Sequence, residues 1–126
     1  MPKAKIMGCR LHYHLMEDFA IIRPEQACDE NTTKALAALV NSTLIKSKNI
    51  ILDLSHSKYV ESPGFRWILR QFQALEAAGK RLIVAGLPSN AQKAFKLLKL
   101  DEYIPSADDV RSAVQMLGSK PTFSIV

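Results

Sequence analysis

The run Ile50-Ile51-Leu52-Asp53-Leu54 constrains the fold more than any other stretch of this chain. It is short, β-branched and apolar at successive positions, so a strand built from it must be covered on both faces. A strand with one wet face would alternate instead. A second run of the same kind, Leu82-Ile83-Val84-Ala85, follows after a segment long enough for one helix. Two buried strands joined by a helix call for a parallel pair with a right-handed crossover. Helices must therefore lie on both sides of a sheet that contains these strands.

The remaining periodicity supplies those helices and a start to the sheet. Residues 8–16 and Phe19 to Arg23 read as two strands around Glu17-Asp18, a hairpin whose second strand ends at Pro24. A helix is predicted from Thr32 to Ile45, with Leu36, Leu39, Val40 and Leu44 on one face. A second runs from Pro63 to Ala78 and stops at Gly79. A third covers 90–99 with Ala94, Phe95 and Leu98 inward, and Tyr103-Ile104 is a short strand or extended link. The last helix takes Ser106 as its N-cap, with Asp109 three residues on and Val110, Ala113, Val114 and Leu117 as its stripe.

Size and charge narrow what such a chain does. At 126 residues it has enough chain for one core and not two. Its two cysteines, Cys9 and Cys28, are expected as free thiols, and its basic start lacks the apolar segment of a secretory signal. No apolar run approaches the roughly 20 residues that span a bilayer, so a cytoplasmic location is expected, without membrane insertion. The net charge of +5 suits an acidic partner or simple solubility. The lysines and arginines are scattered, and Lys93, Lys96 and Lys99 read as a solvated helix face, so nucleic acid is not expected as a partner.

The loop Ser55-His56-Ser57-Lys58-Tyr59-Val60-Glu61 delivers Ser62 to the start of the second helix. Serine before Pro63 is an N-cap arrangement. The same place suits a modifiable hydroxyl, because backbone N–H groups and the helix dipole favour negative charge there. A phosphate on Ser62 would lie one turn from Arg66, which could pair with it, and beside Glu61, which would oppose it. Along this helix Phe65, Ile68, Leu69, Phe72 and Leu75 form the core stripe. Arg66 and Arg70 fall on the solvent flank, and Trp67 falls far from the stripe. Trp67 is then either covered by a loop or the tail, or an exposed anchor for a partner.

Residue types for catalysis are sparse. Cys9, His12 and His14 lack the second cluster that a metal site needs, so no metal is expected. No Gly-rich phosphate loop is present, and no cofactor is expected. His56 near Ser62 offers neither an oriented base nor an oxyanion hole, so the chain does not read as an enzyme.

Leu52-Asp53-Leu54-Ser55 followed by Val60-Glu61-Ser62-Pro63-Gly64-Phe65 resembles the hallmark of STAS domains, the family named for sulphate transporters and anti-sigma-factor antagonists. The likeness continues through Gly79-Lys80-Arg81-Leu82, Val84-Ala85-Gly86-Leu87, Ala94 to Asp101 and Ser106 to Val110. In two positions the chain departs from the hallmark: Glu61 stands for the usual Asp, and Pro63 for a Ser/Thr, which removes one N–H and one hydroxyl. Arg23 to Asp29 also stands where the family has Gly-x-Leu-Asp.

The resemblance implies an α/β fold: a single STAS-like domain over 1–118, with a small mixed sheet, an N-terminal hairpin, parallel strands and about four helices, and a tail over 119–126 that could add to a sheet edge. It implies a protein-binding module of the anti-sigma-factor-antagonist type, a monomer or weak dimer. Its partners would be an anti-sigma factor that is also a serine kinase, and a phosphatase. Ser62 would be the phosphorylated residue, and Glu61, Ser62, Pro63, Gly64, Arg66, Trp67 and Arg70 the partner surface. The alternative is a non-switching accessory or scaffold subunit of a transporter or sensing complex.

Overall fold

A computed structural model describes residues 2–118. They form a six-stranded sheet in the order β1-β2-β3-β4-β5-β6. β1 (Lys3–Ile6), β2 (Cys9–Leu15) and β3 (Phe19–Pro24) are antiparallel neighbours. β4 (Asn49–Asp53), β5 (Leu82–Ala85) and β6 (Ser106–Ala107) continue from β3 in parallel. The helices are α1 (Glu30–Val40), α2 (Ser62–Ala77), α3 (Ser89–Leu97) and α4 (Val110–Gly118), with a 3₁₀ turn at Leu100–Glu102. The expected mixed α/β architecture is thus what the chain adopts.

The apolar runs of β4 and β5 are covered on both faces. Ile50, Leu52, Leu82 and Val84 face a core closed by α1, α2 and α3, which supply Leu36, Leu39, Ile68, Leu75 and Phe95. Ile51, Ile83 and Ala85 face the other way and meet Ala113, Val110, Val114 and Leu117 of α4. The stripes read for α2 and α4 are the ones that pack. α2 stops as expected: Gly79 takes φ +75°, its N–H bonds to the Glu76 carbonyl, and the Lys80 N–H reaches back to Leu75.

Several boundaries differ from expectation. β1 was not foreseen; it joins β2 through Met7 and Gly8, both at positive φ. The first helix starts earlier and ends earlier, because Asp29 accepts the Thr32 N–H and caps it, and Leu44 lies beyond it, exposed. Ser106 does not cap the last helix. It pairs with Val84 in the sheet, and Asp109 takes the cap by accepting the Ser112 N–H at 2.8 Å. Tyr103-Ile104 is neither strand nor extended: Tyr103 closes the 3₁₀ turn and Ile104 is buried. Leu98 points outward, since the helix ends there and Lys99 turns left-handed at φ +59°. The tail over 119–126 lies outside the described residues.

Candidate functional site

The site forms where β4 ends and α2 begins. Asp53 is buried, and its Oδ1 accepts the Ser55 N–H at 3.0 Å, which turns the chain out of the sheet. The loop is then tied down at three points. The Ser57 hydroxyl donates to the Gln26 carbonyl at 2.8 Å. Asn90 of α3 donates to the Lys58 carbonyl at 3.3 Å. Val60 bridges to Cys28, with Cys28 N–H on the Tyr59 carbonyl and Glu61 N–H on the Cys28 carbonyl, both 3.0 Å.

That last tether sets the start of α2. Val60 and Glu61 are held extended, and Glu61, at φ −92° and ψ 170°, is the N-cap residue, without a side-chain cap. Its carbonyl accepts the Phe65 N–H at 3.2 Å. Ser62 is therefore not the cap expected from the sequence but the first helical residue, with Pro63 second. Its side chain is exposed, and its hydroxyl has no partner among the described residues. The hydroxyl stands beside the unsatisfied amides of the first turn, where an added anion is favoured.

The other residues read from the sequence divide between two flanks of α2. Glu61, Arg66 and Arg70 are exposed and without ion pairs among the described residues. Ser62, Arg66, Leu69 and Gln73 share one flank by their spacing. Trp67 does not join them. It is half-buried and packs against the main core, so it is not an exposed anchor. Pro63 is half-buried, and Gly64 is buried against Cys28.

On the Ser62 flank lies a groove of about 620 Å³, lined by Val60, Pro63, Phe65, Ala94, Leu97 and Leu98 together with Glu61 and Ser62. Sequence reasoning missed the α3 wall: Leu98 was expected inward with Ala94 and Phe95, and Leu97 was given no role. They are 83% and 57% exposed.

His56 belongs to a different assembly. Its Nδ1 lies 3.0 Å from Glu25 Oε1, and Arg23 Nε donates to Glu25 Oε2 at 2.8 Å. Arg23 Nη2 donates to His12 Nδ1 at 2.7 Å, so that histidine carries its proton on Nε2. His56 is thus oriented by Glu25 and is not hydrogen-bonded to Ser62. Burial raises the Glu25 carboxyl, but the bonds from Arg23 and His56 and their charge outweigh it and leave it below its ordinary 4.5. A carboxylate held low stabilises the fold above its ordinary value, and that contribution is lost as pH falls through the lowered value. The stability gap between the parent and Glu25→Gln should therefore close as pH falls below the ordinary 4.5 in denaturant titrations. A gap that stays constant over that range would refute the pairing.

The cysteines are both free and buried. Burial first, and the charge of Asp29 second, push the Cys28 thiol up to about 12, so it is a packing group and not a nucleophile. Cys9 faces the Thr32 hydroxyl at 3.9 Å. No three His, Cys, Asp or Glu side chains among the described residues are grouped to hold a metal. No described helix is long and apolar enough to cross a membrane.

This geometry has known counterparts. The sequence matches the STAS domain family over residues 13–113. The chain belongs to the STAS family. Its fold is similar to that of a Thermotoga maritima protein described as an anti-sigma factor antagonist, with a TM-score of 0.77, 17% identity and coverage of 86% of this chain and 95% of that one. The anti-sigma factor antagonist SpoIIAA in its unphosphorylated form aligns with a TM-score of 0.67 and 16% identity, over 87% of this chain and 99% of its own. A chain from the stressosome, described as a signal integration and transduction hub, aligns at 0.62 and 16%, over 85% and 96%. A STAS domain in this architecture presents Ser62 at the first turn of α2, beside an apolar groove.

Proposed function

We propose that this STAS domain is a partner-switching antagonist: its unmodified form binds an anti-sigma factor that is also a serine kinase. Phosphorylation of Ser62 releases the partner, and a phosphatase restores binding. The observation that carries this reading is the Ser62 hydroxyl, exposed and unpartnered at the first turn of α2, and the motif likeness assigns the modified serine to this residue. A phosphate there brings about −1.5 to −2 charges to a helix N-terminus, with Arg66 one turn on. Because the loop is tied to Cys28 and Gln26, the added charge changes the surface without unfolding the domain. Pro63 leaves the first turn with one N–H fewer, so Arg66 carries more of the anion's pairing.

Incubation with ATP and the cognate kinase should add one phosphate per chain, and Ser62→Ala should abolish it. Ser62→Asp should weaken kinase binding by about tenfold or more. A chain left unmodified under those conditions, with a partner indifferent to Ser62→Asp, would overturn the switch and leave a scaffold role of the kind the stressosome chain suggests.

A further inference from the structure

We propose that the β1–β2 hairpin docks this domain on an anionic membrane surface, with Met7 at the acyl boundary and Lys3, Lys5 and Arg10 on the lipid phosphates. The inference is independent of Ser62. The two faces of the sheet are unequally covered. α1, α2 and α3 close one face, whereas on the other α4 lies over β4, β5 and β6. His14 is opposite Ile21, which packs against the apolar cluster under α4. Alternation therefore puts Lys3, Lys5, Arg10 and His12 on that same face, beyond the strands that α4 covers. Lys3 stands across from His12, and Lys5 from Arg10. Lys3, Lys5 and Arg10 are exposed and in no ion pair among the described residues. The acid that follows β3, Glu25, already has its carboxylate on Arg23 and His56. Glu17 and Asp18 sit at the opposite end, in the turn between β2 and β3.

The tip of the hairpin supplies the apolar part. β1 turns into β2 through Met7 and Gly8, at φ +53° and +80°, a two-residue turn that needs positive φ at both positions. Glycine adopts that conformation freely, and methionine does so at a cost. Met7 is 67% exposed, so packing does little to offset the cost. A Cβ on Gly8 would meet nothing within 4 Å, so the turn stands clear of the described residues. An apolar side chain is thus held out where asparagine would fit the backbone better. Lys5 and Arg10 lie one pair behind it, past Ile6 and Cys9. An apolar tip with a basic collar matches the interface of an anionic bilayer. The thioether leaves water at the acyl boundary while the long cationic side chains reach the phosphates. An acidic protein surface would satisfy the cations; a bilayer satisfies the cations and the tip together. Either signal alone binds weakly, and the two add.

The test is co-sedimentation of the full chain with two kinds of vesicle in about 0.1 M salt. One kind is phosphatidylcholine alone, and the other carries about 30% phosphatidylserine. The chain should partition about tenfold or more in favour of the anionic vesicles and come off them as salt is raised. Met7→Asn should weaken that partition about fivefold or more while the melting temperature holds or rises, because asparagine suits the turn. Lys5→Gln with Arg10→Gln should weaken it more than Lys93→Gln with Lys96→Gln, two exposed lysines of α3 whose loss changes the net charge equally. Equal partition onto both vesicles, or Met7→Asn binding like the parent, would overturn the proposal. So would an α3 pair that costs as much as the hairpin pair, since net charge alone would then explain the binding. A chain that stays in solution beside the phosphatidylserine vesicles overturns it as well, and leaves the basic face to an acidic protein surface.

Discussion

Gly64→Ala should destabilise the domain by about 1–3 kcal/mol, although alanine is the better helix former. A Cβ at this position would lie 2.6 Å from the Cys28 carbonyl oxygen, 2.8 Å from Val60 Cγ1 and 3.0 Å from Cys28 Sγ. The first contact decides the sign. The carbonyl is backbone, and it already accepts the Glu61 N–H that fixes where α2 begins. Moving it away breaks that bond, and leaving it in place is sterically impossible. The helix propensity gained from alanine is about 1 kcal/mol at most and does not offset this. Because the closest obstacle is backbone, Cys28→Ala in the same chain should not rescue Gly64→Ala, and Val60→Ala should rescue it only in part. Urea titration of the four chains measures this directly. A Gly64→Ala protein as stable as the parent, or one fully restored by Cys28→Ala, would show that the loop yields where the packing says it cannot. Since the same contacts hold Ser62 at the first turn, the phosphorylation proposed there should slow alongside the loss of stability.

The Cys28–Val60 tether is also the clearest case of what the sequence hides. β4, β5 and the stripes of α2 and α4 were legible because their apolar spacing admits one secondary structure and one buried side. The tether joins residues 32 apart through backbone alone, and no residue type announces it. Without it, Ser62-Pro63 reads as a cap followed by the first helical residue; with it, the helix starts one residue sooner and Ser62 is inside. Ser106 was misread for a related reason. Both Ser106 and Asp109 are good caps, and only pairing to Val84 removes the first from contention. β1 was missed because its turn is Met7-Gly8, where the tight hairpin geometry wants Asn-Gly or Gly-Gly, so half of the signal is absent. The groove was hidden because Leu97 and Leu98 carry core chemistry at a place where the chain leaves its helix. Local physics alone put a polar residue at a helix start. The likeness to the family motif is what made it a candidate switch.

Phe95→Ala should cost about 3–5 kcal/mol and lower the melting temperature by roughly 10 °C or more. Phe95 is 2% exposed, and its ring lies 6.5 Å from that of Phe65 at a tilt of 38°. The pair joins α3 to the first turn of α2, so the two walls of the groove meet at this contact in the core. Truncation removes the ring from both sides of that junction, and the strands beneath cannot close over the void without moving α3. The contrast with Leu97, two residues along the same helix, makes the measurement informative. Phe95→Ala should melt early, whereas Leu97→Ser, at a side chain 83% exposed, should melt with the parent. Thermal unfolding of the two proteins separates these outcomes. If Phe95→Ala melted with the parent, α3 would be held by something other than this ring.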